Sequence, residues 1–565
     1  MFSGSMKQTN ASRTRKSAAA MLAAVAVAGG ASALAQSAGS SQSVFYPGNL
    51  VVSRTVYNNQ ATNVKLGEVL PPNCAATTGG CSAASGTPYN GAYPGVFNND
   101  IYDGSFGVTA KIYLDQVSPY GGFINYVEVP NSLEPSIGPS SDQLVTSFSS
   151  KSEIALNLST DGKYLTFMGY VARANQLDAS NSNTPDAVDG TNPVGESYYR
   201  AVAQVDANGN FQFTKTNAYS GNNGRAAILN NTNGANFYYT AGNAGNGANP
   251  QPSGIVLGAG AQIIEPSTLP ETQQTPGMPT PVASFSVTEL PKAKADKIGK
   301  DDNFRGMTIF NNVLYYTKGS GSNGVNTVYF VDTTGTACPN GVGLPAPGAT
   351  LPNTPLPTPS DPAATGLSSN MCILAGFPDI PNKSQTTVTA FPFGIWFADA
   401  TTLYVADEGD GYVGGTDLYT HAAKQTTAGL QKWIFNSTTK TWNLAYTLKT
   451  GLGLGIPYTV TGYPTGTNAA TSLPWAPATD GLRNITGFRN FDGTVTIWAI
   501  TSTISGGGDT GADPNKMYAI SDVLANTTAA GATKEEFVQV YHAGFGEALR
   551  GVSFTPGTET AFGEQ

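Results

Sequence analysis

The sequence predicts an all-β fold: one β-propeller, of six blades or alternatively seven, closed by its own two ends. Three observations predict it. The composition is that of an all-β chain, a strand opening recurs six times, and the last recurrence is cut short at the end of the chain. Of 565 residues, 12% are charged and 10% are aromatic, with 66 glycines. That mixture suits strands joined by long turns more than helices.

Four segments open alike, at Arg225-Ala226-Ala227-Ile228-Leu229, Arg305-Gly306-Met307-Thr308-Ile309, Arg483-Asn484-Ile485-Thr486-Gly487 and Arg550-Gly551-Val552-Ser553-Phe554. In the first three an Asn/Asp/Gly turn follows, and then an apolar strand such as Val313-Leu314-Tyr315-Tyr316. Two further openings lack the arginine: Ser152-Glu153-Ile154-Ala155-Leu156 and Phe393-Gly394-Ile395-Trp396-Phe397. A strand, a hairpin turn and a second strand, repeated with room for two more strands, is the pattern of a propeller blade. The repeats are longer than the ~40–50 residues that a blade needs. The surplus is expected in loops at 60–105, 171–195, 241–300, 335–390, 409–428 and 450–480.

After Arg550–Phe554 only eleven residues remain, too few for a blade. The N-terminal region has the opposite deficit, with strands near 49–57, 109–116 and 122–129 that precede the first complete opening. The expected solution is one shared blade: the C-terminal strand lies innermost, and the N-terminal strands complete the sheet. Such closure removes two exposed edges. Separate β-sandwiches are the competing arrangement.

Residues 1–35 read as a secretory signal peptide, which leaves 36–565 as the propeller domain. Lys7, Arg13, Arg15 and Lys16 precede an apolar stretch from Ala18 to about Val27, and Ala33-Leu34-Ala35 supplies the cleavage pattern. The apolar stretch is shorter than the ~20 residues that span a bilayer, and no later run is long enough to span. Secretion to the periplasm or the medium is the expectation. Losing the leader takes the net charge from −9 to −13, because it carries four basic residues and no acidic one. Such a surface repels phosphate backbones, so nucleic acid is not an expected partner.

The openings FRGMTIFNNVLYY (304–316), LRNITGFRNFDGTVTIWA (482–499) and ALRGVSFTP (548–556), with FPFGIWFADATTLYVADEG (391–409), resemble those of large secreted bacterial propeller proteins. The resemblance covers most of the mature chain and implies the fold, but no activity. LYVAD (403–407) more weakly resembles NHL and gluconolactonase-type propellers.

Five sets of residues are candidates for chemistry or structure. Equivalent repeat positions come round a propeller at equivalent depths, so Arg225, Arg305, Arg483 and Arg550 are expected to form a partial ring. Guanidinium groups there can bind a carboxylate or phosphate, or brace neighbouring blades through carbonyls and acids. Asp407, Asp410 and Asp417 alternate with glycines and offer hard oxygen ligands to Ca²⁺; the competing reading is a solvated acidic turn. Two histidines occur, His421 and His542. His542, just before the closing strand, is the candidate general base. Cys74, Cys81, Cys338 and Cys372 are expected to pair as Cys74–Cys81 and Cys338–Cys372, each within one loop region. Tyr89, Tyr93, Tyr198, Tyr199, Tyr412 and Trp475 lie in or beside polar insertions, as sugar-stacking rings or as loop anchors.

Together these features point to a secreted binding or scaffold module for a carbohydrate, an anionic ligand or an extracellular protein. The alternative is a lyase or hydrolase of an extracellular polysaccharide, acting at a channel mouth.

Overall fold

A computed structural model describes residues 43–57, 107–131, 144–185, 196–243, 260–267, 303–319, 324–353, 370–384, 390–469, 471–507 and 511–559, with backbone traced also at 69–70, 87–88 and 283–285. One compact unit runs from Ser43 to Gln565. It is a six-blade β-propeller.

The six sheets follow the six sequence openings. Blade 1 has the order Glu547–Phe554, Leu50–Val56, Thr109–Val117, Phe123–Glu128, with Thr146–Ser147 paired onto the third strand. Blade 2 runs Asn157–Leu158, Tyr164–Tyr170, Arg200–Asp206, Phe211–Thr216, and blade 3 runs Gly224–Asn230, Phe237–Gly242, Ala261–Ile264, Ala283–Phe285. Blade 4 runs Met307–Phe310, Val313–Lys318, Thr327–Val331, Met371–Leu374, and Val342–Gly343 adds a parallel edge. Blade 5 is Pro392–Asp399, Thr402–Asp407, Gly429–Asn436, Thr441–Leu448; blade 6 is Ala478–Arg489, Thr494–Ile504, Lys516–Val523, Val538–His542.

The ring closes as the truncated last repeat requires. Leu50 pairs with Phe554 and Val52 with Val552; a bulge follows, and Thr55 pairs with Ala548. Arg54 sits at that irregularity. Its Nε donates to Asp115 at 2.6 Å, a second nitrogen to the same carboxylate at 3.0 Å, and a third to Glu547 at 2.6 Å. One guanidinium therefore joins three strands of the shared blade. The blade-4 hairpin shows why Asn-Asn stands at its turn: Asn311 and Asn312 both take positive φ, 49° and 59°, the conformation of the tight turns that match strand twist.

The core is the set of faces between blades. One cluster joins blades 3, 4 and 5 through residues such as Tyr239, Tyr316, Tyr329 and Phe397, and another joins blades 6 and 1 through Trp498, Leu549 and Phe554. Blades 5 and 6 also share a buried ion pair. Lys432 Nζ lies 2.7 Å from Asp522, with both side chains fully buried and with Tyr446 hydroxyl and two backbone carbonyls completing the lysine's shell. In blade 4, Cys338 and Cys372 form a disulfide that ties a long loop to the fourth strand. The Cys74–Cys81 expectation lies outside the described residues. No helix among the described residues is long and apolar enough to cross a membrane.

Candidate functional site: a funnel and a sealed arginine layer

The inner strands converge on the channel, and glycine sets how close they come. A Cβ on Gly306 would stand 2.1 Å from the Phe393 carbonyl oxygen; one on Gly394, 2.4 Å from that of Arg483; one on Gly551, 2.5 Å from the Leu156 nitrogen. Real Cβ atoms do not approach so near. This is the physical reason for glycine beside Arg305, Phe393 and Arg550 in the repeat: the neighbouring inner strand passes through the space that a side chain would fill.

The arginines lie at this constriction. Arg225 donates to the Phe304 carbonyl at 2.6 Å and to Asn303, both at the entry to blade 4. Arg305 reaches Ser152, at the entry to blade 2, at 2.7 Å. Arg483 pairs with Glu408 of blade 5 at 3.1 Å. Arg550 donates to the Gly511 carbonyl at 2.7 Å and to that of Phe148. The ring is thus a set of inter-blade braces. Burial first, then the neighbouring Arg305, pushes the pKa of Arg225 well below the usual guanidinium value. Burial also lowers Arg305, where Glu408 opposes the shift and Arg483 adds to it. Arg225, Arg305 and Arg483 therefore share one electrostatic neighbourhood.

From this layer the channel widens into a cavity of about 1220 Å³. Its floor is Ala155, Ala226, Gly306, Gly394 and Asn484, each beside the constriction, and its rim is the set of turns that follow the inner strands. Half-buried Trp396 and Phe488 and the aliphatic side chains of Leu158, Ile309 and Ile485 stand among Asn157, Ser159, Thr160, Thr308, Thr486 and Ser553, while Phe310, Phe397 and Phe554 border the cavity from the blade seams, where they are buried. Gly487 again makes room, since a Cβ there would meet the Trp396 indole at 2.6 Å. Phe491 stands at the tip of the blade-6 turn, fully exposed, and lines the mouth. The charged lining residues, Asp161, Lys163, Arg489 and Glu559, belong to the rim turns and to the chain just past the closing strand.

The acidic loop lies at the opposite end, where blade 5 leaves its second strand. Its carboxylates do not converge. Asp407 accepts from the Phe391 and Gly409 nitrogens and from Gln431. Asp410 meets His421 at 2.6 Å, and Asp417 meets the Tyr412 hydroxyl at 3.2 Å. The three carboxylates are not grouped at metal-ligand spacing, and each accepts from nearby protein donors, Asp410 and Asp417 both from Tyr412. Among the described residues the one three-residue grouping with metal-ligand spacing is Asp332 with Cys338 and Cys372, whose sulfurs are already joined to each other. His542 sits on the outermost strand of blade 6, exposed, with Nδ1 against the Ala543 carbonyl at 3.2 Å. It is far from the inner strands in the sheet order, so it is not placed as a channel base.

Of the loop aromatics, Tyr198, Tyr199, Tyr412 and Trp475 are half-buried anchors, and Tyr89 and Tyr93 lie outside the described residues. Sequence reasoning missed Arg200, which is wholly buried and donates to the carbonyls of Tyr198, Ser182 and Asn222. It also missed Phe491 as a rim residue, although Asn490-Phe491-Asp492-Gly493 is a turn that places one large apolar side chain in solvent.

No protein-family model matches this sequence, and no curated protein matches it. Among solved structures the chain is similar to an ulvan lyase, described as a polysaccharide lyase of family PL25, in a form bound to -[GlcA(1-4)Rha3S]- and in a second structure of the enzyme. Identity is 11% and 12%, each match covers 80% of this chain and 91% of the other, and both TM-scores are 0.28.

Proposed function

We propose that the protein is a carbohydrate-binding propeller that receives a neutral oligosaccharide in the funnel. The observation that carries this reading is the lining: a cavity of about 1220 Å³ in which the rings of Trp396, Phe488 and Phe491 stand among hydroxyl and amide groups. Pyranose rings present an apolar face and a belt of hydroxyls, which such a wall matches by stacking and hydrogen bonding. The charges at the rim are of both signs, so the mouth does not select strongly for an ion. The reading is binding: the charged groups stand at the rim, and the hydroxyl, amide and aromatic groups within are those that hold a sugar. Secretion, read from residues 1–35, is part of the same proposal.

A thermal-shift screen of neutral and acidic oligosaccharides tests it, since a ligand specific to the native state raises the midpoint. A neutral oligosaccharide should raise the midpoint of the wild type and leave that of Trp396→Ala/Phe491→Ala unchanged. Equal shifts in both proteins would place the ligand elsewhere.

A further inference from the structure

At the other end of the channel, the structure assigns a second site: we propose that His421, oriented by Asp410, is the general base for hydrolysis of a neutral carboxylic ester. This site shares no residue with the funnel and stands or falls independently of it.

The geometry is that of a carboxylate–imidazole dyad. His421 Nε2 lies 2.6 Å from Asp410 Oδ2. A proton on Nε2 satisfies that contact and leaves the lone pair on Nδ1, which has no hydrogen-bond partner among the described residues. The imidazole is 37% exposed, so Nδ1 can meet a solvent molecule. The dyad is held from both sides. Tyr412 stacks on the imidazole with ring centroids 4.1 Å apart, and Gln425 accepts from the Asp410 backbone nitrogen at 2.9 Å. Gln425 also donates to Asp480, which accepts from the Gly411 nitrogen at 2.9 Å. Loop 408–417 and the helix Leu418–Lys424 are thereby fixed to the entry of blade 6. A carboxylate that holds one ring nitrogen while the other faces the reactant is how an imidazole is readied to take a proton.

The surroundings choose the substrate. The charged groups linked to the dyad's partners are Asp417 on the Tyr412 hydroxyl, Asp480 on the Gly411 nitrogen, and Lys449, whose Nζ donates to the Gln425 carbonyl at 2.6 Å. Burial, and then Asp410 and Glu408, hold Asp480 up at about 7 against the Gly411 and Gln425 donors. These groups carry both signs, so the surroundings favour neither an anion nor a cation and suit a neutral substrate. A glycosidic bond needs an acid at the leaving oxygen, and the carboxyl nearest neutrality, Asp480, is 1% exposed beneath the loop. An ester needs one base. In the step proposed, His421 Nδ1 takes a proton from water as the water oxygen bonds to the ester carbonyl carbon. The tetrahedral intermediate then expels the alkoxide as its C–O bond breaks, and the imidazolium returns the proton to that oxygen. The products are a carboxylic acid and an alcohol, with water as the only co-reactant.

The test is the hydrolysis of 4-nitrophenyl acetate by the full chain, compared with His421→Gln, Asp410→Asn and His542→Gln, with the thermal midpoint of each confirming the fold. The wild type should show saturable hydrolysis. His421→Gln should lose about a hundredfold or more, in the range a positioned base contributes, while His542→Gln keeps the wild-type rate. Asp410→Asn should lower the rate and move its pH profile, which a merely structural contact would not do. Hydrolysis by folded His421→Gln at the wild-type rate would overturn the proposal, as would a wild-type rate no higher than that of free imidazole at equal concentration.

Discussion

Arg54 and Glu547 stand 493 positions apart in the chain and meet at 2.6 Å. Between them they join the two ends of the propeller, and Asp115, whose side chain is fully buried, takes the rest of the guanidinium. Tyr541 of blade 6 adds its hydroxyl to Asp115 at 3.2 Å. Removing the arginine leaves that carboxylate buried without its cation, a change that costs about 3–5 kcal/mol. Urea unfolding of Arg54→Ala should show a loss of that size, and a loss below about 1 kcal/mol would mean that the clamp contributes little to closure.

The glycines at the constriction make a second prediction. Gly394→Ala puts a methyl group where the Arg483 carbonyl oxygen already lies, at 2.4 Å. Backbone cannot rotate away as a side chain can, so the inner strands of blades 5 and 6 must part. The expected cost is about 1–3 kcal/mol, read as a lower thermal midpoint. An unchanged midpoint would show that the layer is looser than its geometry.

Much of this layer was legible in the sequence. The six openings at 152, 225, 305, 393, 483 and 550 mark the six inner-strand entries, and the short tail after Arg550 gave away the closure. These signals are local: a repeated residue pattern and a missing remainder. The role of the arginines is legible in the sequence only as a choice between ligand and brace, because their contacts, Phe304, Ser152, Glu408 and Gly511, lie on other blades. Arg54 and Arg200 carry no repeat signature at all. The acidic loop is ambiguous in sequence for a related reason. Alternating Asp and Gly look the same in sequence whether the carboxylates turn to one ion or, as with Asp407, Asp410 and Asp417, to nearby protein donors.

The pair Lys432–Asp522 tests the seam between blades 5 and 6. Lys432→Met alone strands a buried carboxylate and should cost about 3–5 kcal/mol, whereas Lys432→Met/Asp522→Leu removes both charges and should recover much of the loss. Denaturant midpoints of the two variants decide it. A double variant as unstable as the single one would show that the tyrosines around the pair, Tyr404 and Tyr446, depend on Asp522 as an acceptor.

Stability should fall as pH rises from about 4 to about 7. Asp480 has its carboxyl pushed up to about 7 by burial and nearby carboxylates, and burial holds Asp407 and Asp513 at about 6. With folded values above the unfolded one, the native state binds protons that the unfolded chain has released, so raising the pH through this window favours unfolding. Asp480→Asn removes one such group. It should flatten the pH dependence and raise the midpoint at pH 8 relative to the wild type. The same slope in both proteins would contradict the assignment.

The funnel is the centre of this account, and calorimetric titration tests it most directly. A neutral oligosaccharide found in the thermal screen would be titrated into the wild type, into Trp396→Ala/Phe491→Ala, and into Arg305→Gln at the opposite end. The account predicts binding to the wild type and to Arg305→Gln with like affinity, and loss of at least tenfold in the double variant. Loss in Arg305→Gln with full binding in the double variant would contradict it and move the ligand to the arginine layer.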